Sequence, residues 1–347
     1  ANANTANTGK IMGYPSSITF DGGTAMSTLM QKTSAAIFAL FVGAAGAQSW
    51  PEKPIRMVLP YAPGGVPEAI FRTLAPTFES TFGQRFIVEA RPGASGAIGG
   101  GAVARAAADG YTLMIAGTGL MSVTSHISKN LGFDPLTAFD PISILAEATP
   151  IAVVHASVPA HTLEELVTFL RNNPGKYNYG AQNLGSITHL TGAALSLMTG
   201  NSMVFIAYKG TAPLVQAMLA NDIQVSFPTL SGVAPHLKTG RLRALAVMSK
   251  QRMALLPQVP SAIEAGFPQL VGSNWWAMVA PHGTPAPIIE RLAAAVRTAL
   301  NDPAVRKRID GLGHTPLVMS PAQSATFIRS ESERYREIVI KGKISPN

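Results

Sequence analysis

The stretch YAPGGVPEAIFR, residues 61–72, has the residue types and spacing of an anion-binding turn. Pro63 fixes φ, while Gly64 and Gly65 let the backbone turn with its N–H groups outward. Pro67 suits the first turn of a helix because it has no N–H group. Free N–H groups and the positive end of a helix dipole both favour a negative charge. An ordinary strand-to-helix turn would use the same residues, so this stretch alone leaves both interpretations open.

Two later turns have a similar form. Residues 185–189, GSITH, open a predicted helix, so Ser186 can cap it and Thr188 can present a hydroxyl near its N-terminus. Residues 208–211, YKGT, form another predicted strand-to-helix turn, in which Lys209 either neutralises a ligand charge or points to water. Each turn can hold a second anionic group or serve only as a cap.

Patterns for catalysis and metal binding are missing from the sequence. The chain has no cysteine, which excludes disulfides, thiolate metal ligands and a thiol nucleophile. Its seven histidines form neither an HExxH motif nor an i,i+4 pair, and no GxSxG or SxxK motif occurs. Residues 91–101, RPGASGAIGGG, have GxxGxxG spacing instead of the GxGxxG of a dinucleotide loop. We therefore expect no enzyme activity, no cofactor and no metal site.

Apolar runs bounded by turn residues alternate with amphipathic stretches along most of the chain. This alternation predicts α/β architecture with mostly parallel sheets flanked by helices. The predicted strands are 55–61, 86–90, 112–117, 142–147, 151–157, 177–181, 203–208, 224–229, 242–248 and 274–281. The predicted helices begin at residue 67 or cover 98–108, 162–172, 187–199, 213–220, 285–301 and 321–340. Ligands of such sheets bind at the carboxyl ends of strands, where residues 61–68 lie.

The order of the elements predicts two lobes. If the chain crosses near residues 151–157 and returns near 274–281, the first lobe contains both ends of the folded sequence. We predict lobe 1 at 48–154 and 277–347 and lobe 2 at 155–276, with two crossover strands as the hinge. A ligand-binding cleft would lie between the lobes.

The N-terminal region has the pattern of an export signal. In residues 30–47, MQKTSAAIFALFVGAAGA, a lysine precedes an apolar run that ends in a small-x-small cleavage pattern. The run is shorter than the roughly 18 to 20 residues that span a bilayer. We expect an exported periplasmic protein, cleaved near Ala47, in which residues 1–29 are an upstream segment without a place in the fold.

The net charge is consistent with a small anionic ligand. There are 27 Lys and Arg residues against 19 Asp and Glu residues, which gives a net charge of +8 and favours anionic partners. The basic residues are scattered, and the cluster at 306–308 lies on a polar helical face, which is typical of a solvated surface. We expect no nucleic-acid partner.

Several short motifs, in their order and spacing, resemble the solute receptors of tripartite tricarboxylate transporters, the Bug-type periplasmic binding proteins. These are WPxKPIR at 50–56, PYxPGG at 60–65, VExRPGA at 88–94, DGYTL at 109–113, NY at 178–179, YKG at 208–210, LRALAV at 242–247, VP at 259–260 and EAG at 264–266. The resemblance covers nearly all of residues 50–340.

This resemblance implies a type II-like Venus-flytrap fold that closes on a small organic carboxylate and passes it to membrane permease subunits. It implies that the loop at 61–68 holds a carboxylate, and that loops at 181–189 and 227–230 contribute from the other lobe. Of the two adjacent tryptophans, which alternate across a strand, at most one can reach the cleft. The predicted ligand-binding residues are Tyr61, Ala62, Pro63, Gly64, Gly65, Glu68, Thr118, Gln182, Ser186, Thr188, His189, Lys209, Thr229 and Trp275.

Two departures from the family pattern leave the identity of the ligand open. Glu68 stands where the family usually has Asp, and Pro228 stands where it often has an acidic residue. Di- or tricarboxylates, aromatic acids and amino acids all suit the family. We expect a monomer. A ligand-sensing protein of a signalling system is the alternative, and an ester hydrolase, with Ser186 and His189 as nucleophile and base, is a more distant one.

Overall fold

Two mixed β-sheets, each covered by helices, form the core of the protein in a computed structural model. The structure describes Gly13 and residues 50–128, 131–182, 184–200 and 202–344. The predicted signal peptide, and all of the predicted upstream segment except Gly13, therefore lie outside the described residues. Within the described ranges, no helix has the length and apolar character needed to cross a membrane.

The strands and helices alternate as the sequence pattern predicts. The described strands are β1 (Ile55–Leu59), β2 (Phe86–Ala90), β3 (Thr112–Gly117), β4 (Phe139–Ala148), β5 (Ile151–His155), β6 (Tyr177–Ala181), β7 (Met203–Ala207), β8 (Val225–Ser226), β9 (Leu242–Val247), β10 (Asn274–Pro281) and β11 (Thr315–Pro316). The described helices are α1 (Val66–Phe82), α2 (Ala97–Ala104), α3 (Thr124–Ile127), α4 (Leu163–Arg171), α5 (Ile187–Met198), α6 (Thr211–Leu219), α7 (Leu230–Lys238), α8 (Ala286–Asn301), α9 (Pro303–Gly311) and α10 (Pro321–Lys341).

The first sheet has six strands in the order β11-β4-β10-β3-β1-β2. Strand β1 pairs in parallel with both β2 and β3, whereas β10 runs antiparallel to β3 and β4. The parallel strands β1, β2 and β3 therefore end at one edge of the sheet, where the turns into their helices begin. Strands β1 and β3 are mostly buried, and their sequences are nearly continuous apolar runs.

The second sheet has five strands in the order β7-β6-β8-β5-β9. Strands β7, β6 and β8 are parallel, and β5 is antiparallel to both of its neighbours, β8 and β9. Each sheet thus contains a block of parallel strands beside an antiparallel strand, β10 or β5. The predicted α/β class with two mostly parallel sheets is confirmed.

The chain passes between the sheets twice. It leaves the first sheet after Ala148, enters the second at Ile151, and returns between Val247 and Asn274. Both passages lie a few residues before the predicted limits at 154/155 and 276/277, because backbone pairing keeps β5 whole in the second sheet and β10 whole in the first. Residues 51–347 form one compact unit, and movement of two lobes within it stays a prediction.

The glycine-rich stretch 91–101 is a packing feature. Its helix, predicted at 98–108, covers Ala97–Ala104 and lies directly against the end of β1. A Cβ added at Gly99 would come within 2.8 Å of the Pro60 side chain and 2.9 Å of the Arg91 carbonyl oxygen. Glycine is therefore needed here for close approach of the helix to the strand.

Candidate ligand-binding site

The loop between β1 and α1 has the turn that the sequence predicts, but only one of its two glycines requires that residue type. Gly64 has φ +78°, a left-handed conformation that favours glycine. Gly65, the N-cap of α1, has φ −75° and ψ 171°, which any residue can adopt. A Cβ added at Gly65 would make ordinary contact, 3.4 Å from the Ala62 carbonyl oxygen. The conformational need for glycine therefore lies at Gly64, not at Gly65.

The start of α1 presents backbone donors that the described residues do not satisfy. Gly65 has no side chain with which to cap the helix, and Pro67 has no N–H group. The N–H groups of Gly65, Val66 and Glu68 donate no hydrogen bond within the described part of the chain. Residues 62–64 are exposed. Solvent or an anion can therefore reach this end of the helix dipole.

Glu68 folds back over the loop. Its Oε2 accepts a hydrogen bond of 2.8 Å from the Gly64 N–H, and its Oε1 lies 2.6 Å from Nη2 of Arg72. The hydrogen bond from Gly64, and then Arg72, lower the pKa of the Glu68 carboxyl below its usual range. Both carboxylate oxygens are thus used within the loop, so Glu68 shapes the turn.

Tyr61 fixes the beginning of the loop. Its Oη accepts a hydrogen bond of 2.7 Å from the Gly117 N–H, at the carboxyl end of β3. Burial raises the pKa of Tyr61, which keeps the hydroxyl protonated. The Tyr61 ring meets the ring of Trp276 edge-on, with centroids 5.2 Å apart. A Cβ at Gly117 would lie 2.7 Å from the Trp276 ring and 3.2 Å from Tyr61 Oη, so Gly117 makes room for both rings.

Thr118 lies at the junction of the sheets, and Trp275 lies in the core. Thr118 is buried, and its Oγ1 accepts a hydrogen bond of 2.8 Å from the Trp275 N–H. The Trp275 indole is fully buried and packs edge-on against Phe327. Because successive side chains of a strand alternate between faces, Trp276, and not Trp275, lies beside Tyr61.

The turn before α5 satisfies more of its donors internally. Ser186 Oγ accepts from the His189 N–H at 3.3 Å, and His189 Nδ1 accepts from the Gly185 N–H at 3.1 Å. The His189 ring lies against Tyr179 and Phe205, and burial lowers its pKa to about 4. The imidazole is therefore neutral, with its proton on Nε2.

The geometry of this turn does not form a nucleophile–base pair. Ser186 meets the backbone N–H of His189, while the imidazole Nδ1 is occupied by Gly185. In a Ser–His hydrolase, the serine hydroxyl is activated by a hydrogen bond to an imidazole nitrogen. Ser186 and His189 are thus arranged as a helix cap.

The remaining predicted residues of the second sheet follow the ends of its parallel strands. The Thr188 side chain is 2% exposed, and its hydroxyl has no hydrogen-bond partner among the described residues. Gln182 Nε2 donates a hydrogen bond of 2.6 Å to Thr211 Oγ1, which joins the turns after β6 and β7. Lys209 is exposed and forms no ion pair with a described residue. Thr229, before α7, lies 3.3 Å from Ser231 Oγ, measured between the hydroxyl oxygens.

Contacts at the junction bring the strand ends of the two sheets towards each other. Thr118 follows β3 and bonds to Trp275, whose neighbour Asn274 pairs with Ala148. Two residues further along the chain, Pro150 forms a bridge with Thr229, which follows β8. The carboxyl ends of β3 and β8 are therefore joined through a short series of contacts at the junction of the sheets.

Three surface cavities, of about 600, 470 and 410 Å³, lie elsewhere, around α10 and the segment 125–136. None of the three is lined by a predicted ligand-binding residue. Among the described residues, no group of three or more His, Asp or Glu side chains is arranged to hold a metal ion.

Two supporting residues escape prediction from sequence. Gly117 and Trp276 hold Tyr61 in place, but neither lies in one of the three turns for which the sequence predicts anion binding. The alternation of β10 shows that one tryptophan faces Tyr61, yet it cannot show which one, because that depends on how β10 pairs with β3.

A family model described as "Tripartite tricarboxylate transporter family receptor" matches residues 70–343.

Individual relatives resemble the chain over most of its length. Protein BugT of Bordetella pertussis (strain Tohama I) is 32% identical over 311 residues, which cover 88% of this chain and 95% of that protein. The structure of the periplasmic binding protein BugD is similar with a TM-score of 0.70 and 29% identity, covering 86% of this chain and 100% of that one. The structure of R. palustris Rpa4515 with adipate is similar with a TM-score of 0.73 and 29% identity, with coverage of 86% and 100%.

Proposed function

Since this chain belongs to the tripartite tricarboxylate transporter receptor family, we propose that it binds a small organic carboxylate between its two sheets and delivers it to a membrane permease of that type. It is a solute receptor of the periplasmic binding protein fold. The proposal adds the site, the ligand class, the permease partner, a periplasmic location and a monomeric state.

The start of α1 is the observation that carries this proposal. The N–H groups of Gly65, Val66 and Glu68 are all without an acceptor in the described chain, and they lie at the positive end of a 17-residue helix. A carboxylate placed there can accept from several of them at once. Because Arg72 pairs with the Glu68 carboxylate, the only acidic group of the loop is partly neutralised.

The second sheet supplies further polar groups. The Thr188 hydroxyl has no described partner, Gln182 keeps its amide oxygen unused, and Lys209 offers a positive charge. A charge-assisted hydrogen bond contributes about 1.5 to 3 kcal/mol, and micromolar affinity requires about 8 kcal/mol. Four or five such bonds are enough after the cost of ordering the ligand.

We propose that binding proceeds without chemistry, by closure of the lobes about the junction of Ala148–Ile151 and Val271–Asn274. The ligand would then be held by loops of both sheets, and the permease would recognise the closed form. The arrangement of Ser186 and His189 as a cap supports binding over hydrolysis.

A thermal-shift screen of the purified protein tests the ligand class. Adipate is the first probe, because the similar Rpa4515 structure is described with adipate; malate, citrate, benzoate and aspartate extend the screen in length, charge and shape. A ligand at 100 times its Kd adds about 2.7 kcal/mol of stability. An unchanged melting temperature with every carboxylate would contradict the proposed ligand class.

Substitution of Val66 tests the position of the site. Val66→Pro removes one free N–H, and the conformation of Gly65 before it, φ −75° and ψ 171°, is compatible with a following proline. We expect the affinity for the acid found in the screen to fall roughly tenfold or more. Val66→Ala is the matched control, because it trims the side chain and keeps the N–H. Equal affinities of the two variants in calorimetry would place the carboxylate elsewhere.

A deletion experiment separates transport from sensing. Cells that lack only this chain should lose uptake of the labelled acid if the protein serves a permease. A signalling role would leave uptake intact and abolish only a transcriptional response to the acid.

A further inference from the structure

His314 lies in the turn between α9 and β11, far in sequence from the anion-binding loop, yet it is connected to that loop by contacts. The side chain is buried, and its Nε2 accepts a hydrogen bond of 3.1 Å from Nε1 of Trp276. Its Nδ1 lies 3.1 Å from the Leu312 carbonyl oxygen. An indole nitrogen can only donate, so the imidazole must carry its proton on Nδ1 and donate it to Leu312.

Trp276 transmits this arrangement to the loop. Its ring lies over Gly117, within the space that a Cβ there would occupy, and meets Tyr61 edge-on. Tyr61 in turn accepts the Gly117 N–H and begins the loop that ends at Glu68. The Trp276 indole is 8% exposed, so without His314 its N–H would be left buried and unpaired.

We propose that His314 is a positioning residue of the anion-binding loop: its neutral imidazole fixes the Trp276 indole, which holds Tyr61 against Gly117 and so orients the N–H groups at the start of α1. This inference rests on the proposed carboxylate site. It assigns to a turn of the first sheet, outside every predicted ligand-binding loop, a role in preorganising the ligand donors.

The surroundings of His314 keep the ring neutral. Burial lowers the pKa of its imidazole. The charged residues of β4 are Asp140 and Glu147, the second of which pairs with Thr315, and those of α9 are Arg306, Lys307, Arg308 and Asp310. None of them is hydrogen-bonded to the imidazole, whose two nitrogens are taken by Trp276 and Leu312.

Hydrogen exchange of the ligand-free protein tests the inference without any knowledge of the ligand. His314→Ala removes the acceptor, whereas His314→Gln places an amide oxygen near the position of Nε2 and restores it. His282→Ala is the control, because His282 is an exposed imidazole of the same sheet that bonds to Asp140. The amides read out are those of Gly64 and Gly117, which donate hydrogen bonds to Glu68 and Tyr61.

We expect exchange at these amides to rise at least tenfold in His314→Ala and to stay within threefold of wild type in His314→Gln and His282→Ala. The same pattern should appear in the affinity for adipate or malate, with a loss of tenfold or more in His314→Ala alone. If His314→Ala does not fold, His314→Gln is compared with His314→Asn, whose shorter side chain does not reach Trp276. An equal loss of protection in these two variants overturns the inference.

Two further outcomes separate this inference from the function on which it rests. Unchanged exchange at Gly64 and Gly117 in a folded His314→Ala protein overturns the positioning role, whatever the ligand. Altered exchange in a protein that binds no carboxylate keeps the positioning role and removes the proposed function.

Discussion

The turn before α1 and the turn before α5 begin helices in the same way but satisfy their backbone donors differently. In the first, a glycine stands at the N-cap, and the charged Glu68 carboxylate reaches back to Gly64. In the second, Ser186 caps the helix, and the neutral His189 imidazole holds Gly185. The first turn therefore leaves the third helical N–H free, while the second uses it.

This difference assigns different tasks to the two turns. The first is exposed and leaves three backbone donors without an acceptor among the described residues, and its geometry is supported by Tyr61, Gly117 and Trp276. The second is buried, and its His189 ring is packed against the rings of Tyr179 and Phe205.

The largest expected effect is a loss of folding stability at acidic pH that arises from His189 in the second turn. Because burial lowers the pKa of His189 to about 4, from 6.5, the unfolded chain binds a proton between these values that the folded chain does not. Stability should therefore fall as pH decreases from 6.5 to 4, by about 3 kcal/mol. Chemical denaturation of wild type and His189→Asn across this range measures the difference. Parallel pH profiles would show that the buried imidazole is not the cause.

Over the same pH range, we expect the hydrogen bond between Glu68 and Gly64 in the first turn to be kept. The lowered pKa of Glu68 means that its contribution is present above the ordinary carboxyl pKa and is lost only below it. Between pH 6.5 and 5, the protection factor of the Gly64 amide, which is corrected for the pH dependence of intrinsic exchange, should therefore stay constant.

Gly117→Ala changes a residue at the end of β3, outside the first turn, and should weaken that turn. The added Cβ would lie 2.7 Å from the buried Trp276 ring, and overpacking of this kind costs about 2 kcal/mol. We expect a lower melting temperature and faster exchange at Gly64, with residues 185–190 unchanged. Gly119→Ala is the control, because nothing lies within 4 Å of its added Cβ. Equal melting of the two variants would contradict the packing argument.

Gly65→Ser should convert the first turn into a capped one. The backbone of Gly65 suits an N-cap serine, whose hydroxyl can accept from the Glu68 N–H. We expect roughly tenfold weaker carboxylate binding, since one donor is withdrawn, with stability changed by only a few tenths of a kcal/mol. Calorimetry and denaturation on the same samples check both numbers. Unaltered affinity would mean that this N–H does not meet the ligand.

The reciprocal change, Ser186→Gly, should have the smallest effect. It removes the Oγ that accepts from His189 N–H, and replacing a serine cap by glycine costs a few tenths of a kcal/mol. Exchange at His189 should rise, while exchange at residues 61–68 stays at the wild-type rate. A loss of several kcal/mol would show that the cap, and not the aromatic packing, holds the second turn.

The sequence predicts local features well, because they depend on residues close together in the chain. The position of the first turn follows from Pro63, Gly64 and Pro67, and the cap at Ser186 follows from the residue type before an apolar helix. The contacts of Glu68 are harder to predict from the sequence, because its pairing with Arg72 and Gly64 depends on the path of the turn.

The sequence by itself determined the alternation of strands and helices, the α/β class and the turns at the ends of parallel strands. These follow from hydrophobic period, turn chemistry and helix capping, which are properties of neighbouring residues. The tertiary structure decided which tryptophan meets Tyr61, why Gly117 has no side chain and how His314 reaches the loop. Those contacts join residues 38 or more positions apart, and they depend on the pairing of β10 with β3, which no local pattern encodes.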